Sequence, residues 1–439
     1  MNGLPGGVSN RLAPRRLRHA FLRRLARART ALARAAFHIS DRLADRHGPH
    51  RRRVDLTLRA GSSFSPHSRL QPISWLDEYP PTARFLEAES SLAVGPNLDG
   101  NAPSETVTLP PVSLYALRDA TVSTQSAAFA CKQGLVIERV PSVDPTRCSF
   151  EGGAVLSHLQ QVAEIPQQTS MSVDRAFFLG GYGYWNWYHW LVELLPKLAF
   201  WEKLDPDLRA YPFLVGEQVH AHPALLEALA LFCPDAELIV KGDHQLCTVG
   251  HLLHVNSPNP SPFNLRGTNQ MRVADFLMRP SAIHDWRKRA GLPLGPRDAG
   301  DRRLFLARAH DRRSYNQVEA LDIFVAAGFE PVYFEQMSLR EQVETMNSAQ
   351  LIAGPTGAAW ANLIFCNPGA KALCWIAEPY KHYSAYSTIA HIVGVDVRYF
   401  TYPTTAQSTA GLYEAPYRLD IAELERELFT LLAETSPRA

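Results

Sequence analysis

The chain reads as an α/β protein whose clearest part is a parallel, doubly wound sheet over residues 302–401. Three observations carry that expectation. Short apolar runs alternate there with helical patterns through short links, the pattern of βαβ units. A turn rich in glycine, Gly354-Pro355-Thr356-Gly357, joins a strand run to a helical run. The composition, 46% hydrophobic and 20% charged residues, is that of an ordinary folded domain, and 439 residues allow two or three of them.

In chain order, residues 1–60 come first as a basic arm. They hold 15 Arg against Asp41, Asp45 and Asp55, a net +12 in a chain of net +2, so the rest is acidic. Leu17, Phe21, Leu25, Ala28, Leu32, Ala35, Ile39 and Leu43 recur at steps of three or four, which predicts an amphipathic helix within 11–47. A narrow apolar stripe among so many Arg suits an anionic membrane surface; the alternative is a solvated arm. Nucleic acid is not the expected partner, because the arm has few aromatics to stack bases and the body is acidic. No apolar run reaches the roughly 18 residues of a membrane span, and no secretory apolar segment opens the chain. A cytoplasmic protein is expected, at most peripheral on the inner face of the plasma membrane. The six Cys form no C-x-x-C pair and no zinc spacing, and are expected as reduced, buried thiols.

Residues 61–110, rich in Ser and Pro, read as a linker or irregular lead-in. A first lobe is expected over 111–295, with strands at Arg175–Leu179, Phe213–Gly216 and Leu238–Val240 and helices at Tyr188–Trp201 and Pro223–Phe232. A second lobe follows over 296–405. Its strands are read at Arg303–Ala307, Glu330–Phe334, Gln350–Ala353, Lys371–Ile376 and Val395–Thr401. Its helices are read at Gln317–Ala327, Leu339–Ala349 with Ser338 as N-cap, Ala358–Phe365 and His382–Val393. A terminal segment, 406–439, carries an amphipathic helix over 419–433.

Three constellations can carry chemistry. In Asn186-Trp187-Tyr188-His189-Trp190-Leu191-Val192-Glu193, His189 and Glu193 are four apart and share one helix face. The pair can serve as a tuned base, and the aromatics Trp187 and Trp190 can stack on a ring; an aromatic core contact is the plain alternative. Arg308, Arg312 and Arg313, ahead of Asn316, follow a strand, and guanidinium groups there can clamp phosphate oxygens. A solvated charged loop would look the same. Gly354, Thr356, Gly357, Ala358 and Asn362 form a turn and helix start that can receive an anion. It is neither a P-loop nor the G-x-G-x-x-G fingerprint, whose absence argues against a Rossmann oxidoreductase.

In order and spacing these blocks resemble the family 61 glycosyltransferases, which include bacterial capsular polysaccharide biosynthesis proteins. The likeness runs over about 180–380 through Asn186, His189-Trp190, Glu193 and Pro196, then Arg308, Arg312-Arg313 and Asn316, then Gly328-Phe329, Glu335, Ser338, Gln342, Gly354–Gly357, Ala358 and Asn362. Many members have His where this chain has Thr356, so no role resting on that His carries over.

The resemblance implies a GT-B architecture, two Rossmann-like lobes facing across a cleft. The 296–405 lobe would bind a nucleotide-sugar donor through Arg308, Arg312, Arg313, Asn316, Gly354, Thr356, Gly357, Ala358 and Asn362, with Glu378 on the ribose. The 111–295 lobe would bind a polysaccharide or lipid-linked glycan acceptor beside Asn186, Trp187 and Trp190, and the terminal helix would cross back to it. Transfer would be inverting, with His189 or Glu193 as the base. The nucleotide-sugar would be a co-substrate; no cofactor is implied, and no D-x-D ends a strand, in keeping with metal-independent transfer. A non-catalytic nucleotide- or glycan-binding module of the same fold is the alternative.

Overall fold

The computed structural model describes residues 68–434 apart from 160, 167–170, 244, 263, 268–270, 294–299, 310–312 and 407–408. The basic arm and Arg312 therefore lie outside the described residues.

The first sheet holds eleven strands. They are β1 (Ser68–Trp75), β2 (Ala83–Leu86), β6 (Val112–Val122), β7 (Ala128–Cys131), β8 (Gly134–Ile137), β9 (Ser157–His158), β10 (Val162–Pro166), β11 (Met171–Phe178), β12 (Phe213–Gly216), β13 (Leu238–Lys241) and β14 (Cys247–Val255). Their order is β13-β12-β11-β14-β6-β7-β8-β1-β10-β9, with β2 beside β6. Only the quartet β13-β12-β11-β14 is parallel throughout. Pairing turns antiparallel at β14–β6, and β1–β8 is the one parallel pair beyond it among the described residues. The first lobe is thus a mixed sheet, Rossmann-like only along its parallel quartet.

The second sheet is parallel at every pairing. It contains β15 (Arg302–Leu306), β16 (Glu330–Val332), β17 (Ala349–Pro355), β18 (Lys371–Ala377), β19 (Asp396–Tyr402) and the short β4 (Asn97–Leu98). The order β16-β15-β17-β18-β19-β4 puts the chain's second strand of this lobe outside its first. That is the 2-1-3-4-5 order of doubly wound folds, whose ligand crevice opens where neighbouring connections leave in opposite directions, here between β15 and β17. Strands buried on both faces read as continuous apolar runs, which is why Leu351, Ile352 and Ala353 and Ala372 through Ile376 are all fully buried.

Local chemistry starts and stops the helices. Ser338 and Glu341 form a reciprocal capping box at Leu339–Asn347. Gly394, at φ +83°, closes Ala385–Val393. All six cysteines are free thiols, five of them buried. No helix among the described residues is long and apolar enough to cross a membrane.

Two expectations need correction. From Ser68 onward the lead-in is not a linker but strands, and it touches both sheets. β1 and β2 join the first, β4 extends the second, and β3 (Glu89–Val94) with β5 (Ser104–Leu109) forms a separate ribbon. Ser387 Oγ and Thr388 Oγ1 hold the Val94 carbonyl at 2.5 and 3.2 Å, tying that ribbon to the second sheet's helix. The terminal helix Ile421–Ala433 does not return to the first lobe. It packs on Gln317–Ala326 and β18, and Glu434 at its end pairs with Lys371 and Arg398.

Candidate active site

The residues after β11 form the first wall. Gly183, at φ +71°, reverses the chain, and a Cβ there would stand 2.5 Å from His189 Cδ2. Only glycine meets both conditions. Asn186 Oδ1 accepts the Tyr188 N–H at 2.9 Å and starts the next turn.

That turn, His189–Leu194, is a π-helix rather than the α-helix the spacing predicts. Pro196 supplies the physical reason: it has no N–H and its ring crowds the carbonyl four residues back. The carbonyls left over are taken by distant side chains. Leu191 O accepts from Trp286 Nε1 at 2.6 Å, Val192 O from Asn259 Nδ2 at 2.8 Å, and Glu193 O from Ser257 Oγ at 3.0 Å. Such widened turns recur at functional sites.

His189 Nδ1 lies 3.1 Å from Glu193 Oε1, at ion-pair spacing but without hydrogen-bond alignment. Ser261 Oγ donates to the same Glu193 oxygen. Beneath them Glu138 is buried, with His254 Nε2 at 2.8 Å and Lys197 Nζ at 3.7 Å. Burial would raise the Glu138 carboxyl, but Lys197 and His254 outweigh it and hold the pKa at about 2. Burial, then Lys197, push His254 down.

The second wall lies at the carboxyl ends of β15 and β17. Arg308 is a clamp: its Nη1 donates to Arg313 O at 3.0 Å and its Nη2 to Thr356 O at 2.6 Å, locking the two loops together. Burial lowers its pKa. Arg313 is 9% exposed and adopts φ +57°. Its guanidinium carbon is 5.4 Å from the Tyr413 ring centre, the guanidinium also bonds the Tyr402 hydroxyl, and Nη1 is buried without a hydrogen-bond partner among the described residues. The Thr356 N–H bonds Trp375 O at 2.9 Å, so its hydroxyl is the group it can offer. The 3-10 helix Ala358–Phe365 makes its first bond from Trp360 N to Gly357 O, so the N–H groups of Ala358 and Ala359 have no partner within the helix.

The walls enclose a cleft of about 320 Å³, lined by Asn186 and His189 from the first and by Arg308, Arg313, Thr356, Gly357 and Ala358 from the second. That is within the size range of small-molecule sites. A smaller hollow of about 40 Å³ opens behind it, sharing Tyr182 and His189 and lined by Glu138, Glu193, Lys197 and Ser261. His189 thus stands in both, and Glu193 only in the hollow.

The other candidate site residues lie elsewhere. Trp190 is fully buried and bonds Leu225 O, so it is core. Trp187 Nε1 donates to Asn362 Oδ1 at 2.7 Å, and Asn362 Nδ2 to Gln342 Oε1 at 2.9 Å; both are spent on a link between the lobes. Asn316 pairs with both main-chain groups of Leu419 and pins the terminal segment. A Cβ on Gly354 would meet Leu306 Cβ at 2.7 Å, so this glycine serves the approach of β17 to β15. Glu378 is an exposed residue outside the cleft lining. Sequence reasoning named Glu335 only within the family-like block, with no site role, and passed over the tyrosines Tyr380, Tyr383, Tyr386 and Tyr413, which also line the cleft. The three-residue spacing of Tyr380, Tyr383 and Tyr386 was the available signal. Burial raises all three of those phenols, so they stay protonated.

A basic crevice at the switch point of a parallel sheet, faced by His189, is an arrangement that can receive an anionic ligand. Residues 187–373 match the family described as Glycosyltransferase 61, so this stretch of the chain is similar to glycosyltransferases of that family. The matched span includes His189, Glu193, Arg308, Arg313 and Gly357 and ends before the tyrosines of 380–386. No curated protein matches the chain.

Proposed function

We propose that the chain is an inverting glycosyltransferase of GT-B type. The second lobe holds a nucleotide-sugar donor and the first a polysaccharide or lipid-linked glycan acceptor. The observation that carries this reading is the single cleft into which one wall sends His189 and the other sends Arg313, an N–H-lined helix start and the Arg308 clamp.

In this reading His189 Nε2 removes the acceptor hydroxyl proton while that oxygen attacks the anomeric carbon. The bond from that carbon to the diphosphate oxygen breaks, and the nucleoside diphosphate leaves with the electron pair. Arg313, Arg308 and the N–H groups of Ala358 and Ala359 meet the charge that develops on it. With cationic side chains there, transfer is expected to persist in EDTA. Glu193 Oε1 stands 3.1 Å from the Nδ1 of that ring. Glu193 as base has less support, because it lies behind His189 with its carboxylate held by Ser261.

The test is single-turnover transfer beside nucleoside diphosphate binding. His189→Ala should lower transfer by about 100-fold or more, the usual share of a general base, and leave binding within about twofold. Glu193→Gln should cost less. Near-normal transfer in both variants would make this helix structural and refute the assignment.

A further inference from the structure

We propose that Glu335 is the residue that holds the ribose hydroxyls of the donor nucleotide; this rests on reading the cleft as a donor site. Glu335 sits in the 3-10 turn Phe334–Gln336 that leaves β16, the strand flanking β15 on the side away from β17. A diphosphate held between Arg313 and the helix start at Ala358 lies over the switch point. A nucleoside that extends along the carboxyl edge toward β16 meets Glu335, which lines the cleft from the turn after that strand. In dinucleotide-binding Rossmann folds an Asp or Glu about 20 residues past the first turn bonds the ribose hydroxyl.

The chemistry fits. Glu335 is the only carboxylate lining the cleft among the described residues. An ionised carboxylate only accepts, with about four lone-pair sites, and a ribose diol presents two O–H donors. Oε1 accepts the Ala309 N–H at 2.7 Å, which fixes the carboxylate to the loop that carries Arg308. Oε2 makes no hydrogen bond among the described residues and supplies the remaining capacity. The two guanidinium groups in the same cleft offset the repulsion between this carboxylate and a diphosphate. Glu378, beyond β18, is off the cleft and has no such placement.

The experiment is calorimetric titration of the full chain with UDP, GDP, ADP and CDP. The tightest binder is then compared with its 2′,3′-dideoxy form on wild type, Glu335→Gln and Glu378→Gln. Glu335→Gln keeps an oxygen for the Ala309 N–H, so the loop is preserved. Wild type and Glu378→Gln should prefer the ribose form by about tenfold or more, the range of a hydrogen bond to a charged group, and Glu335→Gln should lose that preference. Three results overturn the proposal. A preserved preference in Glu335→Gln places the ribose elsewhere and leaves the donor-site reading standing. Equal weakening of both forms makes Glu335 a loop support. Absence of binding by wild type to all four nucleotides removes the donor-site reading along with it.

Discussion

Arg308 and Arg313 occupy the same cleft, and their hydrogen bonds assign them different work. Arg308 is committed to two main-chain carbonyls, whereas Arg313 has a buried Nη1 without a partner among the described residues. Arg313→Asn isolates the second role. Asparagine tolerates the left-handed φ of +57°, so the backbone is not strained. The loss of the Tyr413 ring contact costs about 0.5–1 kcal/mol and that of the hydrogen bond to Tyr402 about 1.5–3 kcal/mol, while removing an unsatisfied buried donor returns about 1–3 kcal/mol. Stability without ligand should therefore stay within about 1 kcal/mol of wild type. Nucleoside diphosphate binding should fall by about 1.5–3 kcal/mol, roughly ten- to 150-fold, for the lost charge-assisted bond. Arg308→Ala should differ by its cost in folding. It leaves the carbonyls of Arg313 and Thr356 without their donor, which costs about 2 kcal/mol or more in folding. Urea unfolding and calorimetric titration on both variants read the contrast. A clear loss of stability in Arg313→Asn with wild-type nucleotide affinity would refute the division.

Gly183→Ala should reduce transfer more than about tenfold, because a Cβ 2.5 Å from His189 Cδ2 displaces the imidazole while the left-handed backbone adds about 1–2 kcal/mol of strain. Nucleotide affinity should hold, and unchanged transfer would show that His189 need not stand where it does. Glu138 makes the fold acid-sensitive in a defined direction. Its folded pKa of about 2 is below its ordinary value of 4.5, so its stabilisation is present above about pH 4.5 and fades as pH falls toward 2. The shift corresponds to about 3 kcal/mol at most. The lowered His254 pKa acts in the same direction from nearer pH 6.5. Lys197→Met should cost about 3–5 kcal/mol at pH 7 and flatten this acid limb, as read by urea unfolding between pH 3 and 7; parallel curves for variant and wild type would refute the coupling.

The second sheet was legible in the sequence because its strands are covered on both faces. Continuous apolar runs such as Ala372–Ile376, punctuated by Ser338 and Gly394, leave little ambiguity, and the expected strands there start and end within a residue or two of those observed. The lead-in was misread for the opposite reason. β3 and β5 carry Glu, Ser and Thr on exposed positions, and β1 contains Pro72. Of the prolines that made 61–110 read as a linker, Pro80-Pro81 stand ahead of β2 and Pro110 follows β5, where its carbonyl accepts a bond from the buried Arg279. The terminal helix was expected on the wrong lobe because amphipathicity states that a face is buried and not against what. That choice is made by Leu424, Leu428 and Leu431, and by the Glu434 pairs with Lys371 and Arg398.

At the site, residue type was legible and commitment was not. Asn362 and Asn316 look alike as candidate ligands, yet each is consumed by long-range hydrogen bonds, to Trp187 and to Leu419. His189 is the converse case, since its position depends on a helix that the local sequence cannot hold alone. Pro196 opens the π-turn and leaves carbonyls without donors, and unpaired buried carbonyls are costly. The donors that repair them come from Trp286, Asn259 and Ser257, which are 95, 67 and 64 residues away from the carbonyls they bond. The strain of the turn and its relief are therefore encoded in different parts of the chain. A helix read from spacing alone gives an ordinary i, i+4 pair of His189 and Glu193. The widened turn instead sets His189 at the junction of cleft and hollow, with Glu193 withdrawn behind it. In the proposed reaction that separation favours the imidazole as the group that meets the acceptor.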